Sequence, residues 1–279
     1  MSFVQLTDSY FSKQVQQNRR GQMSEITIRL NKFLAEAGVC SRREADRFIE
    51  QGMVEVDGKK AELGMHVRED QRVVFQGKEV KRKENRILIA FHKPKGIVCT
   101  AEKREKNNII DYINYPERIY YAGRLDKDSE GLILLTNYGE IVNKMMRGAN
   151  AHEKEYVVKV NKKITDKFLK GMASSVPLDE INAVTRPCKV KKVDDYTFKI
   201  ILTQGLNRQI RRMCEYFGYR VVALKRIRIM NIKLGDLKRG EYRDITSEEF
   251  AELERLLAGS EGKTKGEKNV IRKNKRVNR

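Results

Sequence analysis

Six short apolar segments, rich in β-branched residues, constrain the fold more than any other feature of the sequence. They are ILIAF (87–91), LILLT (132–136), YVVKV (156–160), FKIILT (198–203), YRVVAL (219–224) and IRIMNI (227–232). Each has the length of a β-strand, and several are joined by short connections. Three helices are predicted, near 138–147, 165–172 and 207–217. Asn137 and Glu140 are predicted to cap the first of them. This order of elements predicts an α+β domain with a mixed, mostly antiparallel sheet and helices packed on it.

A different pattern precedes this domain. Apolar residues recur at helical spacing from Leu30 to Ala37, and Ser41 followed by Glu44 forms a capping box that should begin a second helix. The dipeptide at 57–58 is Asp-Gly, a strong signal for a β-hairpin turn. Residues 28–80 are therefore predicted to form a small unit of two short helices followed by small strands.

Charge and polarity suggest where the domains end. The polar stretch KRKEN marks a linker, and the last residues combine eight Lys/Arg and two acids with almost no apolar residue. The predicted organisation is a loosely ordered extension at 1–27, a small domain at 28–80, a linker at 81–85, a larger domain at 86–258 and a disordered basic tail at 259–279.

The formal net charge of +20 indicates a polyanionic partner, either nucleic acid or an anionic membrane face. No apolar run approaches the roughly 20 residues that span a bilayer, and the N-terminus lacks a secretory apolar region. A cytoplasmic protein, monomeric by default and without membrane contact, is expected. The four cysteines form no CxxC pair and the three histidines are scattered, so no metal site is expected. No GxGxxG or GxxxxGK[ST] motif supports a nucleotide cofactor.

Three segments have residues suited to chemistry. AGRLDKDSEGLILLTNYGE (122–140) places Asp126 and Asp128 in a polar loop before a strand. HEKEYVVKV (152–160) contains Tyr156, and GLNRQIRRMCEYFGY (205–219) places several arginines on a helix. Taken singly, each has an ordinary structural explanation: a turn aspartate, a core tyrosine and a solvated helix face.

The first domain resembles the S4 RNA-binding domain. The match lies in the order of helix, SRR cap and hairpin in RLNKFLAEAGVCSRREADRFIEQGMVEVDGK. The resemblance places five residues on an RNA-binding face, mainly for phosphate and shape recognition: Arg29, Lys32, Ser41, Arg42 and Arg43. An ordinary solvated face remains the alternative, since acids are interspersed among these residues.

The second domain resembles the pseudouridine synthase family that modifies ribosomal RNA. Its signature, GRLDxDSxGLxxLTN, is present without a gap, and the segments with Tyr156 and Arg211 match the family's second and third motifs. The resemblance implies that Asp126 is the catalytic aspartate, that Arg211 pairs with it, and that Tyr156 lies beside the target base. It also implies RNA contacts from the residues flanking these positions: Arg124, Leu125, Lys127, Arg208, Gln209 and Ile210.

The resemblance implies an enzyme that isomerises uridine to pseudouridine in structured RNA without a cofactor. Within the family, the arrangement is most similar to the branch acting on large-subunit ribosomal RNA, with a tRNA anticodon stem-loop as a second candidate substrate. Asp126 could act as a nucleophile or remove a ribose proton, and the sequence leaves both routes open. A non-catalytic RNA-binding or ribosome-assembly factor is the alternative. A ligase or nuclease would need ATP-binding or metal-ligand motifs, which the sequence lacks.

Overall fold

The computed structural model describes residues 27–82, 85–147 and 150–260. The chain divides into two units between Arg86 and Ile87. The predicted N-terminal extension and basic tail lie almost entirely outside the described residues. Within those residues, no helix is long and apolar enough to cross a membrane.

The first unit contains two short helices and small strands, as predicted. Helix α1 spans Leu30–Glu36 and helix α2 spans Arg42–Glu50. The capping box is confirmed: the Ser41 hydroxyl accepts a hydrogen bond from the Glu44 amide, and the Glu44 carboxylate accepts one from the Ser41 amide. The strands are β1 (Ile28–Arg29), β2 (Val54–Val56), β3 (Lys59–Lys60), β4 (His66–Val67), β5 (Val73–Phe75) and β6 (Lys78–Val80).

The predicted hairpin of the first unit also forms. Asp57 and Gly58 both have positive φ angles, 51° and 76°, as a tight two-residue turn of this kind requires. They join β2 to β3 within a sheet of order β3-β2-β5-β6. One face of this sheet and the inner faces of α1 and α2 enclose a core that includes Leu34, Ile49 and Val54.

The second unit is built on a nine-stranded sheet. Its strands are β7 (Leu88–Lys93), β8 (Tyr120–Ala122), β9 (Glu130–Thr136), β10 (Lys154–Val160), β13 (Lys189–Lys192), β14 (Thr197–Leu202), β15 (Val221–Ile229), β16 (Ile232–Lys233) and β17 (Tyr242–Asp244). The main order is β13-β14-β10-β15-β9-β7-β17, with β16 paired to β15 and β8 paired to β9. All pairs among them are antiparallel except β9 with β15. The mixed, mostly antiparallel sheet is therefore confirmed.

Helices cover parts of both sheet faces. They are α3 (Ile109–Ile113), α4 (Gly139–Met146), α5 (Asp166–Ala173), α6 (Gln209–Tyr216) and α7 (Ser247–Leu257); the small strands β11 (Pro177–Leu178) and β12 (Ala183–Val184) pair separately. Strand β9 shows the arrangement best, since Ile133 and Leu135 belong to one apolar cluster while Leu132 and Leu134 belong to the other. A strand buried on both faces explains why residues 132–135, LILL, are all apolar rather than alternating with polar residues.

Two local predictions were wrong. Segments 219–224 and 227–232 were predicted as separate strands, but residues 221–229 form one strand whose register against β10 shifts near Tyr156. Asn137 does not cap α4: its side-chain oxygen accepts a hydrogen bond from the Ile87 amide, and Tyr138 occupies the capping position. A tertiary bond to the neighbouring strand thus replaced the local one that the sequence pattern suggested.

Gly131 of the signature has a packing role. It has a φ of 116° and lies where β9 runs parallel to β15, opposite Arg226. A Cβ atom at this position would stand 2.3 Å from the Arg226 carbonyl oxygen, so any other residue would push the two strands apart. The signature glycine therefore sets the close approach of the strands that border the site described next.

Candidate active site

The signature loop connects β8 to β9, and hydrogen bonds made by its backbone groups hold it in place. The Leu125 amide donates to Cys99 Sγ at 3.4 Å, and the Ser129 amide donates to the Asp126 carbonyl at 3.1 Å. The Lys127 carbonyl accepts from the Gly96 amide at 2.7 Å. These bonds, made on both sides of Asp126, fix the backbone position from which its carboxylate projects.

Helix α6 brings two arginines to this loop. Arg208 precedes the helix with a positive φ of 48°, and its Nη1 lies 3.7 Å from Asp126 Oδ2 and 3.6 Å from Asp128 Oδ1. Arg211 lies one turn on, with Nε 3.9 Å from Asp126 Oδ2 and Nη2 3.1 Å from Asp128 Oδ2. The two carboxylates and two guanidinium groups form a four-membered charge cluster.

The cluster is more than the expected pair of Asp126 with Arg211, and it differs in two ways from a simple ion pair between buried side chains. The hydrogen bonds of Arg211 go to Asp128 and to the Ser129 hydroxyl, and its Nε has no hydrogen-bond partner among the described residues. The Asp126 side chain is one-third exposed because it lies at an open cavity.

A cavity of about 350 Å³ opens beside Asp126. Tyr156 and Ile210 line it and are themselves nearly buried. Eight of the predicted catalytic and RNA-binding residues share this lining: Arg124, Leu125, Asp126, Tyr156, Arg208, Gln209, Ile210 and Arg211. The three sequence motifs therefore meet at one site, although 85 residues of sequence separate Asp126 from Arg211.

Three predicted contacts of the larger domain differ in exposure. Lys127 is exposed, lies outside the cavity lining and has its Nζ 3.9 Å from Glu105. Gln209 is 4% exposed, and its side-chain oxygen accepts a hydrogen bond from the Leu206 amide. Arg124 is exposed at the cavity, where it is free to approach a bound nucleic acid.

The predicted RNA face of the first unit lies on its helical side. Arg29, Arg42 and Arg43 are exposed, and Lys32 is 3.6 Å from Glu36 in an ion pair one helical turn away. Ser41 is partly buried, and its hydroxyl is engaged as the helix cap described above. Its contribution to this face is therefore mainly to fix the start of α2, which positions the two arginines that follow.

Sequence reasoning missed two basic residues in the cavity, Lys154 and Arg226. Both are buried, with 9% and 2% of their surfaces exposed. Lys154 is two residues before Tyr156 on β10, so strand periodicity places it on the same face and could have revealed it. Arg226 gave no such signal, because an arginine within an alternating strand ordinarily faces solvent.

Lys154 should make the folded protein less stable at neutral pH. Burial, and then the charge of Arg226, lower the pKa of its ammonium group from 10.5 to about 8. The unfolded state therefore binds more protons between pH 8 and 10.5, so this group adds stability as pH rises through that window and imposes its full penalty below it. At about 1.4 kcal/mol per pKa unit, the penalty is of the order of 3 kcal/mol.

We expect Lys154→Met to be more stable than the parent at pH 7, by up to about 3 kcal/mol. Denaturant unfolding at pH 7 and at pH 10 would measure the difference, which should shrink at the higher pH. The exposed Lys199, changed to Met, is the matched control and should show neither effect. A Lys154→Met variant that is less stable at pH 7 would contradict the assigned penalty.

No three His, Cys, Asp or Glu side chains within the described ranges are grouped as a metal ion would require. Cys40, Cys99 and Cys214 are buried, and Cys188 is partly buried; burial raises the pKa of Cys188 to about 11 and that of Cys214 to about 12. These two thiols therefore remain protonated at neutral pH, and the buried cysteines pack as small core side chains.

Comparison with known proteins identifies the class of enzyme. The family model described as RNA pseudouridylate synthase matches residues 87–216, and the S4 domain model matches residues 28–73. The chain belongs to the RNA pseudouridine synthase family, whose members isomerise uridine to pseudouridine, and it carries an S4 domain. The family and fold class expected from the sequence are confirmed, and the comparisons do not favour the non-catalytic alternative.

Comparison with individual relatives shows which members of the family the chain is similar to. The chain is 51% identical over 245 residues to the dual-specificity RNA pseudouridine synthase RluF of Salmonella typhi, covering 87% of this chain and 84% of the relative. It is 35% identical over 237 residues to ribosomal large subunit pseudouridine synthase B of Bacillus subtilis (strain 168), covering 82% and 96%. A crystal structure of a pseudouridylate synthase aligns with a TM-score of 0.60 and 29% identity, covering 82% of this chain and 99% of that one. The sequence motifs most resemble large-subunit synthase F, in agreement with the first of these relatives.

Proposed function

We propose that this enzyme isomerises specific uridines in large-subunit ribosomal RNA and in a tRNA anticodon stem-loop, with Asp126 as its catalytic residue. The observation that carries the proposal is the position of Asp126, partly exposed at a cavity that also presents Tyr156 and Arg211. The names of the relatives support the substrates: one is a dual-specificity RNA enzyme and another acts on the ribosomal large subunit.

The reaction needs the target nucleotide to leave its stack, which requires a few kcal/mol. Arg124 is exposed beside the cavity and is suited to fill the space that the nucleotide vacates. Tyr156 presents an aromatic ring within the cavity on which uracil can stack. Binding energy from phosphate contacts elsewhere on the RNA offsets the cost of unstacking.

Asp126 then acts on the ribose. As a nucleophile, it would form a covalent bond to C1′ as the C1′–N1 bond breaks; as a base, it would remove a ribose proton. Arg208 and Arg211 each have a nitrogen within 4 Å of its carboxylate, so two positive charges compensate the negative charge that both routes use. Uracil turns and its C5 bonds to C1′; on the nucleophilic route the bond between Asp126 and C1′ then breaks, and on the other route the ribose proton is returned. The proton lost at C5 is balanced by the proton gained at N1.

Purified full-length protein incubated with C5-tritiated ribosomal RNA and tRNA tests this proposal. Release of tritium from both RNAs is the expected result, because each turnover displaces the C5 hydrogen. RNA binding without tritium release would instead support a non-catalytic assembly factor. Mapping of pseudouridines in both RNAs from a deletion strain would then identify the target positions.

We also propose that residues 28–80 act as an S4 RNA-binding domain and residues 86–258 as the catalytic domain of a cytoplasmic monomer. The division of the chain at residue 86 and the two separate family matches support these boundaries. In the S4 domain, Arg29, Lys32, Ser41, Arg42 and Arg43 are the proposed contributors to RNA binding.

The double variant Arg42→Ala/Arg43→Ala should bind RNA more weakly and with a flatter salt dependence. Each lost phosphate contact lowers the slope of log K against log salt by about 0.7–0.9, so the slope should fall by up to about two units. Filter binding across a salt series would measure it. Arg68→Ala/Arg72→Ala is the matched control, because those arginines pair with Asp70 and Glu79. Equal slopes in the two double variants would show that the helical face is merely solvated.

A further inference from the structure

Two buried cations at the cavity, Lys154 and Arg226, have no role in the mechanism described so far. The ion pairs of the described residues include the nearby Arg211 and Arg228, but neither of these two side chains. Their charges are therefore removed from water without a carboxylate to compensate them. The two positive charges repel each other, and the charge of Arg226 contributes to the lowered pKa of Lys154.

Both side chains have hydrogen-bond donors that lack an acceptor among the described residues. Arg226 Nε donates to the Leu132 carbonyl at 2.7 Å, and Nη1 approaches the Arg124 carbonyl at 3.5 Å. Its Nη2 is buried and has no hydrogen-bond partner among the described residues. Lys154 Nζ has one long hydrogen bond, 3.4 Å to the His152 carbonyl, which leaves two of its three hydrogens available.

Such an arrangement is costly in the empty protein. A buried cation without a partner loses several kcal/mol of hydration, and a second cation nearby adds to the loss. Binding of a negatively charged or strongly electron-rich group would satisfy the free donors and compensate both charges. The geometry therefore marks the inner wall of the cavity as a site for an anionic part of the substrate.

The reaction generates an anion at this place. When the C1′–N1 bond breaks, its electron pair remains on uracil, and the ring oxygens share the resulting negative charge. A phosphate is a poorer candidate, because the phosphodiester continues in both directions and must stay near the exposed mouth, where Arg124 and Arg208 lie. The base is the only part of the nucleotide that can reach two side chains as deeply buried as these.

We propose that Lys154 and Arg226 form the leaving-group site, where they donate hydrogen bonds to a carbonyl oxygen of the extruded uracil and stabilise the uracil anion. The proposal rests on the proposed function and adds to it a role for residues outside the aspartate cluster. The site needs no co-reactant. It holds the anion while the ring turns, until C5 attacks C1′ and the C5 proton is exchanged for one on N1. Arg226 has a second effect, since its bond to the Arg124 carbonyl helps to position the signature loop.

The test compares single-turnover rates on two transcripts of large-subunit ribosomal RNA, one made with UTP and one with 5-fluoro-UTP. Fluorine stabilises the uracil anion, so the fluorinated base leaves with less help from the protein. Loss of the target uridine or 5-fluorouridine is followed by chromatography of nuclease digests, because the fluorinated base has no C5 hydrogen to lose and cannot give pseudouridine itself. The variants are Lys154→Met and Arg226→Lys in the full-length enzyme, with the exposed Lys199→Met as control.

Lys154→Met should slow uridine conversion by about 100-fold, the loss typical of one donor to a developing anion. The loss should be at least tenfold smaller on the fluorinated transcript, and RNA affinity should change little. Arg226→Lys keeps the charge but loses the forked donor geometry, so it should show a smaller version of the same pattern.

Three outcomes would overturn the proposal. Rates equal to those of Lys199→Met would show that the cations do not act on the substrate. Equal losses of rate on both transcripts would show that Lys154 and Arg226 do not stabilise negative charge on the uracil ring. Weaker RNA binding with a reduced salt slope, at an unchanged rate, would assign them to a phosphate instead. Lys154→Met is expected to fold at least as stably as the parent, so misfolding does not confuse the result. An inactive parent would defeat the proposed function itself, whereas an active parent with unaffected variants defeats only the leaving-group site.

Discussion

Asp126→Asn should abolish pseudouridine formation while leaving RNA binding largely intact. The substitution keeps the size of the side chain but removes the negative charge, so the residue can neither attack C1′ nor remove a ribose proton. Removal of an essential nucleophile or base lowers turnover by roughly 10⁴-fold or more in well-studied enzymes. RNA affinity comes mostly from phosphate contacts, and Asp126 supplies none of these.

Asp128→Asn is the comparison that makes the experiment specific. Asp128 is two residues away, carries the same charge and contacts the same two arginines. Its side chain is 52% exposed, however, and it does not line the cavity. Tritium release should therefore fall far less in Asp128→Asn than in Asp126→Asn. Similar residual turnover in the two variants would remove the catalytic assignment from Asp126.

The sequence predicted the parts of the fold that depend on local signals. The capping box at Ser41 and the Asp-Gly turn at 57–58 formed as expected, because the groups that stabilise each of them lie within a few residues. The Asn137 cap failed for the opposite reason, since Ile87 lies 50 residues away in sequence and competes for the same oxygen. A local pattern therefore predicts a local hydrogen bond only where no residue far away in sequence competes for the same group.

Strands at the margins of the sheet were less predictable. The edge strand β13 is KVKK and the opposite edge strand β17 is YRD, and neither has an apolar run. Edge strands bury little surface and tolerate charged side chains, which discourage pairing between molecules. Their pairing depends on a neighbouring strand already being in place, and that information is spread over the whole domain.

The residues of the site also differ in how far the sequence alone could predict them. Sequence motifs identified three of the site residues, and the structure places all three at one cavity: Asp126, Tyr156 and Arg211. Lys154 and Arg226 became apparent only with burial, because a lysine or arginine in a strand has no unusual property until its surroundings are known. The pairing of β9 with β15 and the glycine at 131 create those surroundings.

Arg211→Met should reduce activity strongly and stability only slightly. Arg211 itself is almost buried, but its partners are not, since the Asp126 and Asp128 side chains are 33% and 52% exposed. When the guanidinium is removed, both carboxylates can be hydrated, so the 3–5 kcal/mol typical of breaking a fully buried ion pair does not apply. Methionine fills most of the aliphatic volume, and the main structural loss is the bond to the buried Ser129 hydroxyl. A destabilisation of about 1–2 kcal/mol is expected.

The activity loss has a different origin. Arg211 Nε is buried without a hydrogen-bond partner among the described residues, and it lies 3.9 Å from Asp126 Oδ2. A small movement would complete that bond once RNA excludes water from the cavity, and the guanidinium would then compensate the charge of the carboxylate through a charge-assisted hydrogen bond. Turnover should therefore fall by about 100-fold or more, within the range expected for loss of such a charge-stabilising donor.

A double-variant cycle separates the two effects. Adding Asp126→Asn to Arg211→Met should cause no further loss of turnover beyond that of Asp126→Asn alone, because both changes disable the same group. In thermal unfolding, the two changes should be nearly additive, since the exposed carboxylate gains little from its arginine in the absence of RNA. Recovery of stability in the double variant would instead show that Asp126 and Arg211 form a desolvated pair before RNA binds. Independent losses of turnover would place Arg211 on an RNA phosphate rather than beside the carboxylate that we propose to be catalytic.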